Sequence, residues 1–280
     1  MNYNLKKIKK DINLKSSKKN HSPHKKQINF TKNNNLGSNQ INISGKHATI
    51  SALQNPKRKL SHLISTQDHS LAWVKKVKDL GLKIEVKIKM KEELDEINNF
   101  KPHQNIILLA EPLKRISLEN FLSNRLINSK KPLRIIILDQ VTDPQNVGSI
   151  IRSAFAFNFD AVCLLKNNSP IETPSLIKAS AGEIDNIQIL EIGNLVQEIK
   201  ILKKQNFFIY GLDGEGKIKI QEIDKTDNRI ALIIGAEGKG LRNLTKQNVD
   251  GLVKIDINPK CNSLNAANAA TVAMYEISKN

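Results

Sequence analysis

Three short runs in the second half of the chain, Arg134-Ile-Ile-Ile-Leu138, Ala161-Val-Cys-Leu-Leu165 and Ile230-Ala-Leu-Ile-Ile234, are continuously apolar, without polar alternation. A strand with one wet face alternates; a strand covered on both faces does not, so these runs point to a parallel sheet sandwiched between helices. The intervening segments agree, because apolar residues there recur at helical spacing. Read from residue 134, the pattern predicts strands at 134–138, 161–165, 187–191, 207–212, 230–234 and 252–257. Helices are expected at 147–157, 175–180, 195–204, near 241–247, and from Ala266 to the end. The fold class is α/β with a mainly parallel sheet.

A smaller αβ unit precedes it. Residues 46–53 and 71–80 read as helices, and 60–66, 83–88 and 106–111 as strands, giving a domain over 45–116. Residues 117–132 are polar and helix-compatible and end in Lys-Lys-Pro; Pro132 disfavours helix at the residue before it, so the stretch reads as a linker to a second domain at 133–280. Residues 1–44, rich in Lys, Asn and Ser with isolated apolar positions, hold too little apolar surface to offset chain entropy and read as a disordered basic tail.

The formal net charge is +17, and about half of it lies in residues 1–45, where ten lysines face the single acid Asp11. Such a chain favours a polyanionic partner, since each phosphate neutralised by a cation releases counterions. RNA, DNA and anionic membranes all qualify, and a lysine-rich solvated surface is the bland alternative. No run approaches the ~18 apolar residues of a membrane span. The basic N-terminus lacks the apolar core of a secretory signal, so a cytoplasmic location is the default. Cys163 and Cys261 stand in no metal-like spacing, and neither a disulfide framework nor a zinc cluster is expected; Cys163 reads as a small core residue.

Chemistry concentrates in three loops. The first, Asp139-Gln-Val-Thr-Asp-Pro-Gln-Asn-Val-Gly148, follows the strand at 134–138, on the sheet edge where ligands gather in open α/β folds. Asp143-Pro-Gln-Asn146 is also a good turn and helix N-cap. Arg152 follows one turn beyond Gly148, and a lone cation in an apolar helix calls for an anion. The second loop, Gly235-Ala-Glu-Gly-Lys-Gly240, offers three glycines for close backbone approach and Glu237 as an acceptor. The third, Pro259-Lys-Cys-Asn-Ser-Leu-Asn265, carries Ser263 and Asn265 into an apolar helix, where a cap role and a ligand role are equally open. The chain has no Gly-x-Gly-x-x-Gly fingerprint and no P-loop.

In this order the three loops resemble the motifs of the SpoU family of ribose 2′-O-methyltransferases in the SPOUT superfamily. They correspond to Asn146-Val-Gly-Ser-Ile-Ile-Arg152, Ile234-Gly-Ala-Glu-Gly-Lys-Gly-Leu241 and Ser263-Leu-Asn265, with Lys178-Ala-Ser-Ala-Gly182 as a supporting match. Gly45-Lys-His-Ala-Thr-Ile-Ser-Ala-Leu53 and Ile106-Ile-Leu-Leu-Ala-Glu-Pro-Leu113 resemble the L30e-like RNA-binding domain of the bacterial 23S ribosomal RNA guanosine 2′-O-methyltransferase subgroup. The chain departs from the pattern at Ile255-Asp-Ile257, usually Ile-Pro-Met, and at Ala266-Ala267, usually Val-Ser.

The resemblance implies a trefoil-knotted catalytic domain, an S-adenosylmethionine cofactor held by Gly235, Ile255 and Leu264 mainly through backbone groups, and a homodimer in which Asn146 and Arg152 serve a partner's cofactor. It implies that Arg152 relieves the charge of a ribose oxyanion or a nearby phosphate, that Glu237 orients groups, and that Ser263 and Asn265 fix the cofactor loop. His47, His62, His69 and His103, all in the smaller domain, are read as surface or RNA-contacting residues. A transfer-RNA methyltransferase and a non-catalytic RNA-binding assembly protein are the rival readings.

Overall fold

The computed structural model describes residues 40–126, 132–166, 172–224 and 229–279. Its first half runs β1 (Ile41–Ser44), α1 (Lys46–Gln54), β2 (Leu60–Ser65), α2 (Gln67–Asp79), β3 (Glu85–Ile88), α3 (Lys91–Ile97) and β4 (Ile106–Ala110). Strand β4, buried at every position, is flanked antiparallel by β1 and β2, and β3 extends the sheet parallel to β2. The period of two divides its side chains. Ile106, Leu108 and Ala110 pack with Ala48, Ala52 and Leu53 of α1 and Trp73 of α2, whereas Ile107 and Leu109 turn to Leu94 of α3.

The second half runs β5 (Ile116–Ser117), α4 (Leu118–Leu126), β6 (Leu133–Asp139), α5 (Pro144–Ala156), β7 (Ala161–Leu165), α6 (Pro174–Ala179), β8 (Gln188–Ile192), α7 (Leu195–Lys204), β9 (Phe208–Leu212), β10 (Ile218–Lys219), β11 (Arg229–Gly235), α8 (Asn243–Asn248), β12 (Gly251–Lys254) and α9 (Ala266–Ser278). Eight strands form one sheet in the order β10-β12-β9-β11-β6-β7-β8-β5, and every neighbouring pair is parallel. The continuously apolar runs are its middle strands. Ile136, Leu138, Leu232 and Ile234 face Ile150 and Ile151 of α5 and Ala270 and Met274 of α9. Ile135, Ile137, Cys163 and Ile233 face Phe121 and Leu122 of α4 and Ile199 and Leu202 of α7. Each side chain so enclosed contributes about 1.5–3 kcal/mol relative to exposure, an upper bound because unfolded chains are not fully extended.

Two sequence expectations are corrected here. Residues 41–44, assigned to the tail, form β1, because Ile43 inserts under the sheet and the strand pairs with β4 from Ile41↔Ala110 to Ser44↔Ile107; residues 1–39 lie outside the described residues. The stretch read as a linker holds α4, whose Leu118, Phe121 and Leu122 are buried against the eight-stranded sheet, and Ser117 belongs to edge strand β5. Residues 127–131 lie outside the described residues.

The two sheets belong to one compact unit, and Arg58 ties them together. Its side chain is fully enclosed and meets Asp185 through two bonds (Nε–Oδ1 2.8 Å, Nη2–Oδ2 2.9 Å). Nη1 donates to Glu172 Oε2 at 2.6 Å and to the Glu111 carbonyl at 3.1 Å. Glu172 in turn accepts from the Leu113 amide at 2.6 Å, and Asn55 donates to Asp185 at 2.9 Å. Every guanidinium nitrogen of Arg58 and every carboxylate oxygen of Glu172 and Asp185 has a partner from the other half or the segment between them. No described helix is long and apolar enough to cross a membrane.

Candidate functional site

The first and second loops start from adjacent strands, since β6 and β11 run in register to the pair Asp139↔Gly235. In the first, Asp143 caps α5 by accepting from the Asn146 amide at 3.0 Å, with Pro144 at the first helical position where no N–H is needed. This holds Asn146, 9% exposed, facing the start of α9. The second loop folds back on itself: the Gly240 amide donates to the Ala236 carbonyl at 2.8 Å, with Gly238 and Gly240 at φ 74° and 63°. Gly235 is fixed by space. A Cβ there would lie 2.2 Å from the Gly240 carbonyl carbon, so no larger residue permits this hairpin.

The third loop closes the site through Asn265. Its Nδ2 donates to Asn146 Oδ1 at 3.0 Å and to Glu237 Oε1 at 2.5 Å, while its Oδ1 accepts from the amides of Ala267 at 2.9 Å and Asn268 at 3.2 Å. One carboxamide therefore joins all three loops and caps α9, using both donors and both acceptor positions. Of the cap and ligand roles open in the sequence, the structure shows the cap, and the other end of the group binds the neighbouring loops.

The second and third loops, with the segment after β9, wall a cleft of about 630 Å³, within the size range of small-molecule sites. Gly235, Glu237, Ile255, Ser263, Leu264 and Asn265 all line it. Strand β12 ends at Lys254 instead of 257, which frees Ile255 and Ile257 to form part of its apolar wall. Gly214 and Gly238 line it as well, and a Cβ added at either would meet no protein atom within 4 Å, so both leave backbone open to a bound molecule.

Asn146 is joined to this rim through Asn265, and Arg152 is not among the lining residues. The reason given for Arg152 from sequence does not hold: Ile150, Ile151 and Ala154 carry the buried face of α5, and Arg152 points to solvent on the other side, where a cation needs no anion. Helix α5 packs on α9, with Ser153 Oγ 2.8 Å from Thr271 Oγ1 and the rings of Phe157 and Tyr275 at 5.6 Å. Phe155, Val272 and Tyr275 remain exposed on this pair.

Two supports were missed in the sequence. Asp139, fully buried at the end of β6, accepts from Thr245 Oγ1 at 2.8 Å, and Arg242 Nε stands 2.7 Å from its Oδ1, an ion contact in which that oxygen receives no aligned N–H. It fastens the start of α8 beneath the glycine loop. Asp213, after β9, pairs with Lys246 at 2.7 Å along the cleft wall. The usable signal was position alone, an acid at the carboxyl end of a buried strand.

The profile of the SpoU rRNA Methylase family matches residues 133–275, and that of RNA 2′-O ribose methyltransferase substrate binding matches residues 43–115. A 23S rRNA (guanosine-2′-O-)-methyltransferase, RlmB, of Coxiella burnetii is 34% identical over 241 residues, covering 85% of this chain and 94% of that protein. Among solved structures, the SpoU methyltransferase AviRb of Streptomyces viridochromogenes in complex with AdoMet aligns with a TM-score of 0.72 at 21% identity, over 86% of this chain and 89% of that one. An AdoMet-bound rRNA methyltransferase of Sinorhizobium meliloti aligns at 0.71 and 20%, over 85% and 87%.

Proposed function

The chain belongs to the SpoU rRNA methylase family and is an RNA 2′-O-methyltransferase, and from that premise we propose that it methylates the ribose of a guanosine in 23S ribosomal RNA, with S-adenosylmethionine as donor. The observation that carries this reading is the Asn265 carboxamide, which ties the second and third loops, both lining one cleft, to Asn146 of the first. The 23S guanosine target draws support from the Coxiella relative, whose similarity spans both halves of the chain.

The cleft suits the cofactor. Leu212, Ile234, Ile255 and Leu264 offer an apolar wall for a purine, open backbone at Gly214 and Gly238 admits polar edges, and Glu215, Glu237 and Lys239 supply charged groups of both signs for the amino-acid end of the ligand. When bound, S-adenosylmethionine supplies an already activated methyl group, so the protein's task is alignment and relief of charge on the ribose oxygen. Orientation alone is worth several kcal/mol or more. Arg152 is the group for the oxyanion or an adjacent phosphate, acting through the charge of its guanidinium. Glu237 and Asn146 hold Asn265, and with Ser263 they fix the rim.

Because Arg152 does not line the cleft of its own chain, the reaction centre in this reading is completed by a second copy, and the exposed apolar residues of α5 and α9 are the surface for it. The enzyme works as a cytoplasmic homodimer. The test uses purified protein, labelled S-adenosylmethionine and unmodified 23S RNA, with the methylated ribose mapped. Arg152→Ala should lower transfer by about 100-fold or more while calorimetry shows unchanged cofactor affinity; near-native turnover would remove Arg152 from the reaction, and methylation of transfer RNA alone would overturn the 23S target.

A further inference from the structure

Phe100 sits in the turn between α3 and β4 with 73% of its surface exposed. It is also one of two consecutive non-glycine residues in left-handed backbone, Asn99 at φ 51° and Phe100 at φ 55°. A bulky side chain seldom adopts that conformation, and when it does the surroundings hold it there. They do so here from below. The Phe100 amide donates to the Asp95 carbonyl at 2.6 Å, the buried Asn98 side chain donates to the Lys101 carbonyl at 2.7 Å, and Asn42 donates to the Ile97 carbonyl at 2.8 Å. Buried His103 lies 2.9 Å from Asp95 and accepts from the Asn105 amide at 3.0 Å. The turn is thus braced from inside, yet the ring it presents is mostly solvent-exposed.

Cations and acids both stand on the elements around that ring. Gln104 accepts from the Lys46 amide at 2.8 Å and Asn98 reaches Ser44 at 3.4 Å, which brings the turn against the start of α1, where Lys46 and His47 are exposed. Lys101 is exposed on the turn itself. Of the acids of α3, Asp95 is engaged by His103 and Lys91 and Glu93 by Lys89, while Glu96 is exposed. A rigid, exposed aromatic ring on a turn that carries Lys101 and meets the start of α1 at Lys46 matches what unpaired RNA bases offer, a π-face on a negatively charged backbone.

We propose that Phe100 is a stacking platform for an unpaired base of the substrate RNA, with Lys46 and Lys101 holding the adjoining phosphates. This deepens the methyltransferase reading and rests on RNA being the substrate; it says where the smaller half grips a single-stranded segment.

The experiment follows binding of a mixed-sequence single-stranded oligoribonucleotide, and of 23S RNA, to the full chain by fluorescence anisotropy. Phe100→Ala should weaken both by about tenfold with cofactor affinity and thermal midpoint unchanged, raising KM for RNA more than it lowers kcat. Phe100→Trp should retain affinity, and its indole fluorescence should be quenched by the single-stranded oligonucleotide and not by a duplex of the same sequence. Lys101→Ala should reduce the slope of log affinity against log salt by about one. Wild-type RNA affinity in Phe100→Ala, or an indole left unquenched at saturation, would overturn the platform. Quenching without any methylation of 23S RNA would support the platform and sink the 23S target, so the two readings fail separately.

Discussion

Asn265 shows why one residue type is required where two look equivalent. Asn and Asp cap helices about equally well, so Asn265→Asp preserves the bonds from the Ala267 and Asn268 amides at the start of α9. It removes both donors, however, and sets a carboxylate against Glu237, whose Oε1 now lies 2.5 Å from the amide nitrogen. We expect Asn265→Asp to lower cofactor affinity about tenfold or more with a small change in thermal midpoint, and Glu237→Gln in the same chain to recover part of the loss by restoring a donor. Equal affinities for wild type and Asn265→Asp in a calorimetric titration would show that the carboxamide does not assemble the rim. The residue was legible in sequence as a candidate; its double duty was not, because which loop meets which is decided by sheet order. Arg152 was legible only by motif, since its exposed position contradicts the burial argument made for it.

At the level of elements, what the sequence concealed has a common cause. The middle strands and helices α5, α7 and α9 stood out because burial on whole faces imposes a period. β5 and β10, two residues each, and β1, four, are too short to show one, and the charged helix α3 buries only Leu94. Their places are set by partners distant in sequence, as with the turn after α3, which is pinned by the Asp95–His103 contact. That hydrogen bond is the main influence holding the Asp95 carboxyl below its ordinary range; partial burial opposes it and Lys91 assists. A carboxyl lowered on folding stabilises the native state fully above the unfolded aspartate value, about pH 4, and loses that contribution as pH falls through the folded value. The stability advantage of wild type over Asp95→Asn should therefore be constant above about pH 4 and shrink on further acidification. Thermal unfolding of the two proteins across that range measures it, and a gap that persists unchanged into acid would assign the effect to packing.

Across the whole molecule, the smaller half and the methylase half must keep a fixed relation if RNA shape is to select the target ribose, and Arg58 is placed to enforce it. Burial opposes its charge, but Asp185 and Glu172 outweigh that effect and hold the guanidinium firmly protonated, above the ordinary arginine value. Nothing in the sequence around Arg58 marks it, because both carboxylates lie more than a hundred residues away. Removing one member of such a buried set costs about 3–5 kcal/mol, since the remaining charges stay enclosed without a counterion. Arg58→Ala leaves two of them, Glu172 and Asp185, and in a unit of this size it should lower the thermal midpoint by roughly 10 °C. Replacing all three together, as Arg58→Met with Glu172→Gln and Asp185→Asn, should recover much of the stability without restoring the directional contacts. The repaired triple variant then separates stability from geometry: if the junction sets the relation of the halves, it should melt near wild type, bind cofactor normally and still show a raised KM for 23S RNA. A triple variant with wild-type KM would mean that apolar packing alone aligns the halves and that the ionic cluster contributes only to folding.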